Sequence, residues 1–168
     1  MGKRSNFEKV PRSWYPTPFS AVVPLIPHLK DNFFVEPCAG NGVLAQHLER
    51  FNKQFYSMSD IHPMDGSVME MDAFDFSSDY PVLTNPPWDR HILHPMIEHF
   101  RNNFAYAWLL IDADWAFTKQ AGPYMKYCKK FVAIGRVKWI PDSKMQGKDN
   151  CAWYLFQKDP CETIFVGR

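Results

Sequence analysis

Asn85-Pro86-Pro87-Trp88 combines residue types that do chemistry rather than folding. Two successive prolines hold φ at about −65° and remove two backbone donors, so the segment neither continues a strand nor opens an ordinary helix. It follows Tyr80-Pro81-Val82-Leu83-Thr84, a short run that reads as a buried strand. A rigid turn at the end of a strand, carrying an amide and then a large aromatic, suits one task. The Asn85 side-chain oxygen and the Pro86 carbonyl can both accept hydrogen bonds from one planar –NH2 group. Trp88 can stack on the flat ring that bears it. The chemistry these four residues fit is the handling of an exocyclic amine or a side-chain amide.

A second group stands upstream. Phe33-Phe34-Val35-Glu36 is an apolar strand ending in an acid, followed by Pro37-Cys38-Ala39-Gly40-Asn41-Gly42 and then a helical pattern. Gly40 and Gly42 permit a tight turn and a close approach of backbone to ligand, and the helix after them begins with free N–H groups. A Gly-x-Gly alone is a weak signal, and the missing third glycine separates this loop from the nicotinamide-binding fingerprint. The combination of strand, Glu-Pro-x-Ala-Gly-x-Gly, helix and a later strand ending in Asn-Pro-Pro-Trp is far more specific. On these motifs the chain resembles the class I S-adenosylmethionine-dependent methyltransferases that act on amino nitrogens. The adenine-N6 branch is the most similar in look, and within it the small phage-type enzymes. The resemblance runs from about Trp14 to the end.

The resemblance implies a Rossmann-like α/β fold: a seven-stranded, mostly parallel sheet in the order 3-2-1-4-5-7-6, strand seven antiparallel, with helices on both faces. It implies S-adenosylmethionine as cofactor, and Asn85, Pro86, Pro87 and Trp88 as the catalytic turn, with Asn85 among the cofactor contacts as well. Glu36, Pro37, Ala39, Gly40, Asn41 and Gly42 would lie by the methionine end of the cofactor, with Thr17 and Pro18 packed against the same moiety. Asp60, followed by Ile61, ends the second strand and would accept from the ribose hydroxyls, since ligands of open parallel sheets bind beyond the carboxyl ends of the strands. Asp72, Ala73 and Phe74 match the element that meets the cofactor adenine: Asp72 for its amino group, the Ala73 N–H for a ring nitrogen, Phe74 for stacking.

The elements that must position these residues follow from the pattern. Trp14 to Leu29 enters an apolar stretch, with Thr17 and Pro18 as a cap and first-turn pair, and Pro24 and Pro27 shortening the helix. A helix is expected over Val43–Phe51, a strand over Gln54–Asp60, a short strand near Val68–Met71 and a helix over Arg90–Asn102. Phe104–Ile111 reads as a strand buried on both faces. A helix over Asp114–Lys129 follows, with Asp112 or Asp114 as its cap. Strands Phe131–Ile140 and Cys151–Gln157 flank a polar loop, and Thr163–Val166 adds a short tail strand. Alternating strands and helices call for a mostly parallel sheet.

The length of 168 residues suits one domain over residues 14–168, without a separate target-recognition domain, behind a flexible basic arm at residues 1–13. No apolar run is long enough to cross a bilayer, and four scattered cysteines suggest reduced thiols, so no membrane partner and a cytoplasmic location are expected, in the host cytoplasm for a phage protein. The net charge of +1 makes no global case for nucleic acid, but lysines and arginines gather in the last third. Substrate contacts are expected from Trp88, His91 and Trp115, and from Ser143, Lys144 and Lys148 in the loop after the sixth strand. His91 and His94 could share a metal, but nothing completes a ligand set, so no metal is expected.

The partner is therefore read as nucleic acid, DNA ahead of RNA, and the reaction as methyl transfer to adenine N6, in single strands or with low sequence selectivity. Without a recognition domain, selectivity is left to a homodimer or a specificity partner. Three alternatives stay open: an RNA adenine methyltransferase, a protein glutamine methyltransferase, whose amide substrate fits the same turn, and a catalytically silent scaffold.

Overall fold

Alternation along the strands decides how the sheet is covered. The structure is a computed structural model and describes residues 15–140, 147 and 149–168. The expected basic arm at 1–13 and the loop candidates Ser143, Lys144 and Lys148 lie outside the described residues. In chain order the strands are β1 (Phe33–Glu36), β2 (Gln54–Asp60), β3 (Met69–Glu70), β4 (Val82–Thr84), β5 (Ala107–Asp112), β6 (Cys128–Arg136), β7 (Asn150–Phe156) and β8 (Ile164–Val166). In β5, Ala107, Leu109 and Ile111 point into one core while Trp108 and Leu110 point into the other. Val82 and Leu83 divide the same way in β4, as do Ala152 and Trp153 in β7. A period of two with both phases apolar is what a strand covered on both faces requires.

The sheet order is β3-β2-β1-β4-β5-β7-β6-β8. β7 runs antiparallel to both β5 and β6, and the pairs β1–β2, β1–β4, β2–β3 and β4–β5 are parallel. The expected order of seven is present, and the tail strand adds an eighth, β8, parallel to β6 at the outer edge. The order reverses between β1 and β4, which puts the ends of β1, β2 and β4 at one crevice.

One face carries α1 (Phe19–Val22), its 3-10 continuation Val23–His28 and α2 (Val43–Glu49), whose Ala21, Leu25, Leu44 and Leu48 are buried against Phe34, Trp108 and Trp153. Trp153 Nε1–H donates to the Ala21 carbonyl at 2.7 Å and ties α1 to β7. Pro24 and Pro27 account for the change from α to 3-10 geometry after Val22. The other face carries α3 (Arg90–Asn103), whose Leu93, Met96, Ile97 and Phe100 are buried at helical spacing. Pro95 is the sixth residue of α3, past the N-terminal positions whose N–H groups lack a partner, so it removes one intrahelical donor there.

Several expected elements are corrected. The helix expected over Asp114–Lys129 is broken into a 3-10 turn, Ala113–Phe117, and the four-residue α4 (Gly122–Met125). Gly122-Pro123 cannot continue a helix from the preceding turn, and Pro123 restarts one at its N-terminus. Asp112 caps the 3-10 turn, its Oδ1 accepting from the Asp114 N–H at 2.9 Å. β6 consequently begins at Cys128 and ends at Arg136, earlier at both ends than expected. β5 begins at Ala107, while Phe104 packs as a core aromatic against Phe100 and Phe76. Thr17 does not cap α1: the N-cap is Pro18, which makes no side-chain cap bond, and Thr17 is buried. No helix among the described residues is long and apolar enough to cross a membrane.

Candidate active site

β1 delivers Glu36 to the crevice, and the turn after it is built so that backbone lines the opening. Gly40 and Gly42 both take positive φ, 55° and 71°, a region L side chains seldom enter. The Gly42 N–H closes the turn on the Ala39 carbonyl at 2.8 Å, and the Ala39 N–H reaches the Ser59 carbonyl at 2.9 Å. Asp60, at the end of β2, locks the loop further: its Oδ2 accepts from the Gly40 N–H at 2.9 Å, and its Oδ1 from the His62 N–H at 2.8 Å. The Met64 N–H returns to the Gly40 carbonyl at 2.9 Å. The loops after β1 and β2 thus form one hydrogen-bonded unit.

Between this unit and the end of β4 lies a cavity of about 1100 Å3. Thr17, Glu36, Pro37, Ala39, Gly40, Asn41, Asp60, Ile61, Asp72, Ala73, Phe74 and Asn85 all line it, so twelve of the fourteen expected cofactor residues meet in one space. Pro18 and Gly42 are not part of its wall. Asp72 holds the following 3-10 turn, its Oδ1 accepting from the Phe74 N–H at 3.0 Å.

Glu36 is the electrostatic centre of the wall. It is 3% exposed, and its Oε2 has no hydrogen-bond partner among the described residues. Burial raises its pKa well above the ordinary carboxylate value, and the nearby negative charge of Asp60 adds to the rise. A buried acceptor left open at the rim of a cavity is a place for a donor, above all a cationic one. Cys38, also in the wall, has its thiol pKa pushed up by burial first and by Asp60 second, so it stays protonated and unreactive.

Asn85, Pro86 and Pro87 line the same cavity. The Asn85 amide nitrogen donates to the Tyr15 carbonyl at 3.2 Å. A carbonyl can only accept, so this contact fixes which end of the amide is nitrogen and leaves Oδ1 free to accept from a ligand. The turn therefore presents the acceptor side of its amide.

The aromatic expected beside it is placed differently. Trp88 is not part of the cavity wall: it packs against the α1–α2 core, edge-on to Trp139 at 5.6 Å, and its Nε1–H donates to the Leu110 carbonyl at 3.0 Å. Trp115 is likewise a core residue, 4% exposed, with Nε1–H donating to His94 Nε2 at 3.2 Å. His91 is exposed at the start of α3 and does not reach the wall. His94 points inward to Trp115 and Tyr124, so the two histidines do not share a site.

Tyr15, Pro16, Cys38, Val43, Leu44, His62, Pro63, Met64, Asp89, Ile92 and Met96 complete the wall without having been singled out as site residues. Little signal existed: Ile92 and Met96 share the four-residue spacing of ordinary core positions on α3, and only Asp89, directly after the Asn-Pro-Pro-Trp turn, is marked by its place in the chain. Asp89 doubles as the N-cap of α3, its Oδ1 accepting from the His91 N–H at 2.9 Å.

No protein-family model matches the chain, and no curated protein matches it in sequence. Solved structures do match. A "putative RNA methyltransferase" from Pyrococcus horikoshii superimposes with a TM-score of 0.59 at 16% identity, covering 93% of each chain. The 23S rRNA methyltransferase ErmE gives 0.53 at 10% identity over 87% of this chain and 71% of its own. A dimethyladenosine transferase from Plasmodium falciparum gives 0.52 at 12% identity over 84% of this chain and 62% of its own. The chain thus shares its Rossmann-like α/β fold with these solved methyltransferases, in the strand order that the resemblance implied and with one extra edge strand.

Proposed function

We propose that this chain is an S-adenosylmethionine-dependent methyltransferase acting on the exocyclic N6 of adenine in unpaired nucleic acid. The observation that carries the reading is the Asn85 amide, pinned by the Tyr15 carbonyl with its acceptor oxygen left for an incoming –NH2 group. The cofactor fits the wall on independent grounds. The unpartnered Oε2 of Glu36 suits an ammonium, Asp60 and Asp72 supply acceptors for hydroxyl and amino groups further along, and the turn at Ala39–Gly40 gives close backbone approach. When bound, the cofactor would supply an electrophilic methyl on a sulfonium, which leaves as a neutral thioether once an amino nitrogen takes the methyl and sheds its proton to water.

The protein's share is positioning and acceptance of hydrogen bonds. An adenine amino lone pair is delocalised into its ring. Accepting both N–H bonds at Asn85 Oδ1 and the Pro86 carbonyl favours a pyramidal nitrogen and concentrates the pair on it. No base is needed before transfer, and Asn85 is not one. Pro87 and Ile92 offer apolar wall on the acceptor side.

Two polymers are supported by different observations. The Asn-Pro-Pro-Trp turn resembles DNA enzymes, whereas the matching structures bear names that describe action on RNA or on adenosine. The test offers purified protein and labelled cofactor single-stranded DNA, duplex DNA, RNA and a cell protein extract, and identifies the methylated product by mass spectrometry after digestion. N6-methyladenine from either nucleic acid supports the reading and selects the polymer. Label confined to protein moves the acceptor to a side-chain amide and overturns it.

A further inference from the structure

Phe117 is 84% exposed, more than any other large apolar side chain among the described residues. Leaving a phenylalanine in water forgoes the free energy of burying it, though a lone exposed ring needs no explanation. Its setting is less ordinary. Phe117 ends the 3-10 turn that β5 enters at its carboxyl end, and β5 lies directly beside β4, which leads into Asn85. The turn is rigid: Trp115 is buried edge-on against Tyr154 and Phe156, and the Thr118 N–H and hydroxyl both bond the Trp115 carbonyl, at 3.0 and 2.8 Å. Arg90 bonds Gln120, which ties the chain after Phe117 to the residue next to Asp89 in the cavity wall. Gln120 is neutral, so the charge of Arg90 stays uncompensated by this contact. Lys119 is also exposed. A fixed aromatic face, two cations and a position by the catalytic turn coincide.

We propose that Phe117 is the platform on which a nucleobase adjacent to the acceptor adenine stacks, with Arg90 and Lys119 meeting the phosphates between the two. This rests on the nucleic-acid reading above and extends it outside the cavity. Stacking asks only for a flat face and tolerates any base, whereas the cations add a salt-dependent attraction. Asp89, next to Arg90 in the chain, and Asp112, which feels the Arg90 charge, offset part of that attraction, which makes the ring the larger contributor.

The test is a double-mutant cycle between protein and substrate. A short single-stranded oligonucleotide with one adenine, as DNA and as RNA, is compared with versions abasic at either neighbouring position. Phe117→Ala is expected to raise the oligonucleotide KM roughly tenfold, with kcat and cofactor Kd unchanged, and Phe117→Tyr to restore it. An abasic neighbour is expected to weaken the wild type by a similar factor and Phe117→Ala hardly at all, because one contact cannot be lost twice. Equal abasic penalties in both proteins, or an unchanged KM in Phe117→Ala, would overturn the platform while leaving the adenine reading intact. A change in sedimentation rather than in KM would assign Phe117 to a contact between copies, and also overturns it. If the wild type neither binds nor methylates either oligonucleotide, the adenine reading fails and the platform fails with it.

Discussion

The amide nitrogen of Asn85 donates to the carbonyl of Tyr15 at 3.2 Å, joining the turn after β4 to the segment that leads into α1. The bond uses the half of the amide that could not help an amino substrate and leaves the half that can. Asn85→Ala is therefore expected to lower kcat roughly 10²–10³-fold, the scale of losing one aligned transition-state hydrogen-bond partner. Cofactor Kd, measured by calorimetry, should stay nearly constant. Equal loss of both would show that Asn85 holds the cofactor rather than the acceptor amine.

Glu36 gives a prediction in pH. Its pKa is raised in the folded protein, so its contribution to stability is complete below the ordinary carboxylate range and is lost as pH rises through the folded value. Without cofactor, Glu36→Gln should melt above wild type at neutral pH, because a buried carboxylate need no longer ionise. With cofactor the order reverses: the variant should bind roughly 10- to 100-fold more weakly, the worth of a hydrogen bond to a charged group. Wild-type cofactor affinity should rise with pH across the interval in which free Glu36 titrates. A flat affinity profile together with unchanged binding in Glu36→Gln would remove Glu36 from the cofactor site.

The parts of the site legible in the sequence are those where a strand stops for a covalent reason. Glu36 and Asn85 each stand directly before a proline that cannot extend the strand, Asp60 ends a mixed strand with Pro63 three residues on, and the sheet rule gathers such ends at one crevice. The sheet order was legible through the motifs that fix β1 and β4. The walls contributed by α3 were not, since Ile92 and Met96 have the spacing of ordinary core residues. The Asp114–Lys129 helix was misread because Trp115, Ala121 and Tyr124 supply apolar residues that the sheet needs whether or not a helix forms, while Gly122-Pro123 decides against one. For Trp88 the sequence carries no sign of a partner for its indole N–H, because only the fold brings the Leu110 carbonyl to it.

Asp60 holds the glycine turn, and on the proposed reading it also meets the cofactor ribose; substitutions can separate the two. Both its oxygens already accept backbone N–H groups, from Gly40 and His62, and each retains capacity for a further donor. Asp60→Ala should weaken cofactor binding and also loosen the glycine turn, seen as faster amide exchange at Gly40. Asp60→Asn keeps one acceptor oxygen and should recover part of the turn's protection, with affinity still reduced. Intact affinity in Asp60→Ala would mean the ribose hydroxyls are met elsewhere in the cavity.

Trp88 sets a structural role against a stacking role, and two substitutions divide them. Phenylalanine keeps a ring able to stack but cannot donate to Leu110, whereas leucine loses both the ring and the N–H. If the indole acts through its bond to β5 and its edge contact with Trp139, Trp88→Phe strands the Leu110 carbonyl. The cost is about 1 kcal/mol, or about 2–4 °C in Tm for a chain of this size. Trp88→Leu should lose more, and the oligonucleotide KM should change little in either. If instead Trp88 stacks on the acceptor base, Trp88→Phe should leave KM near wild type and Trp88→Leu should raise it roughly tenfold. The position of the ring outside the cavity wall favours the first pattern. The rigidity of the Pro86-Pro87 turn then derives partly from Trp88 anchoring it to β5, which keeps the Asn85 oxygen and the Pro86 carbonyl in register for one amino group.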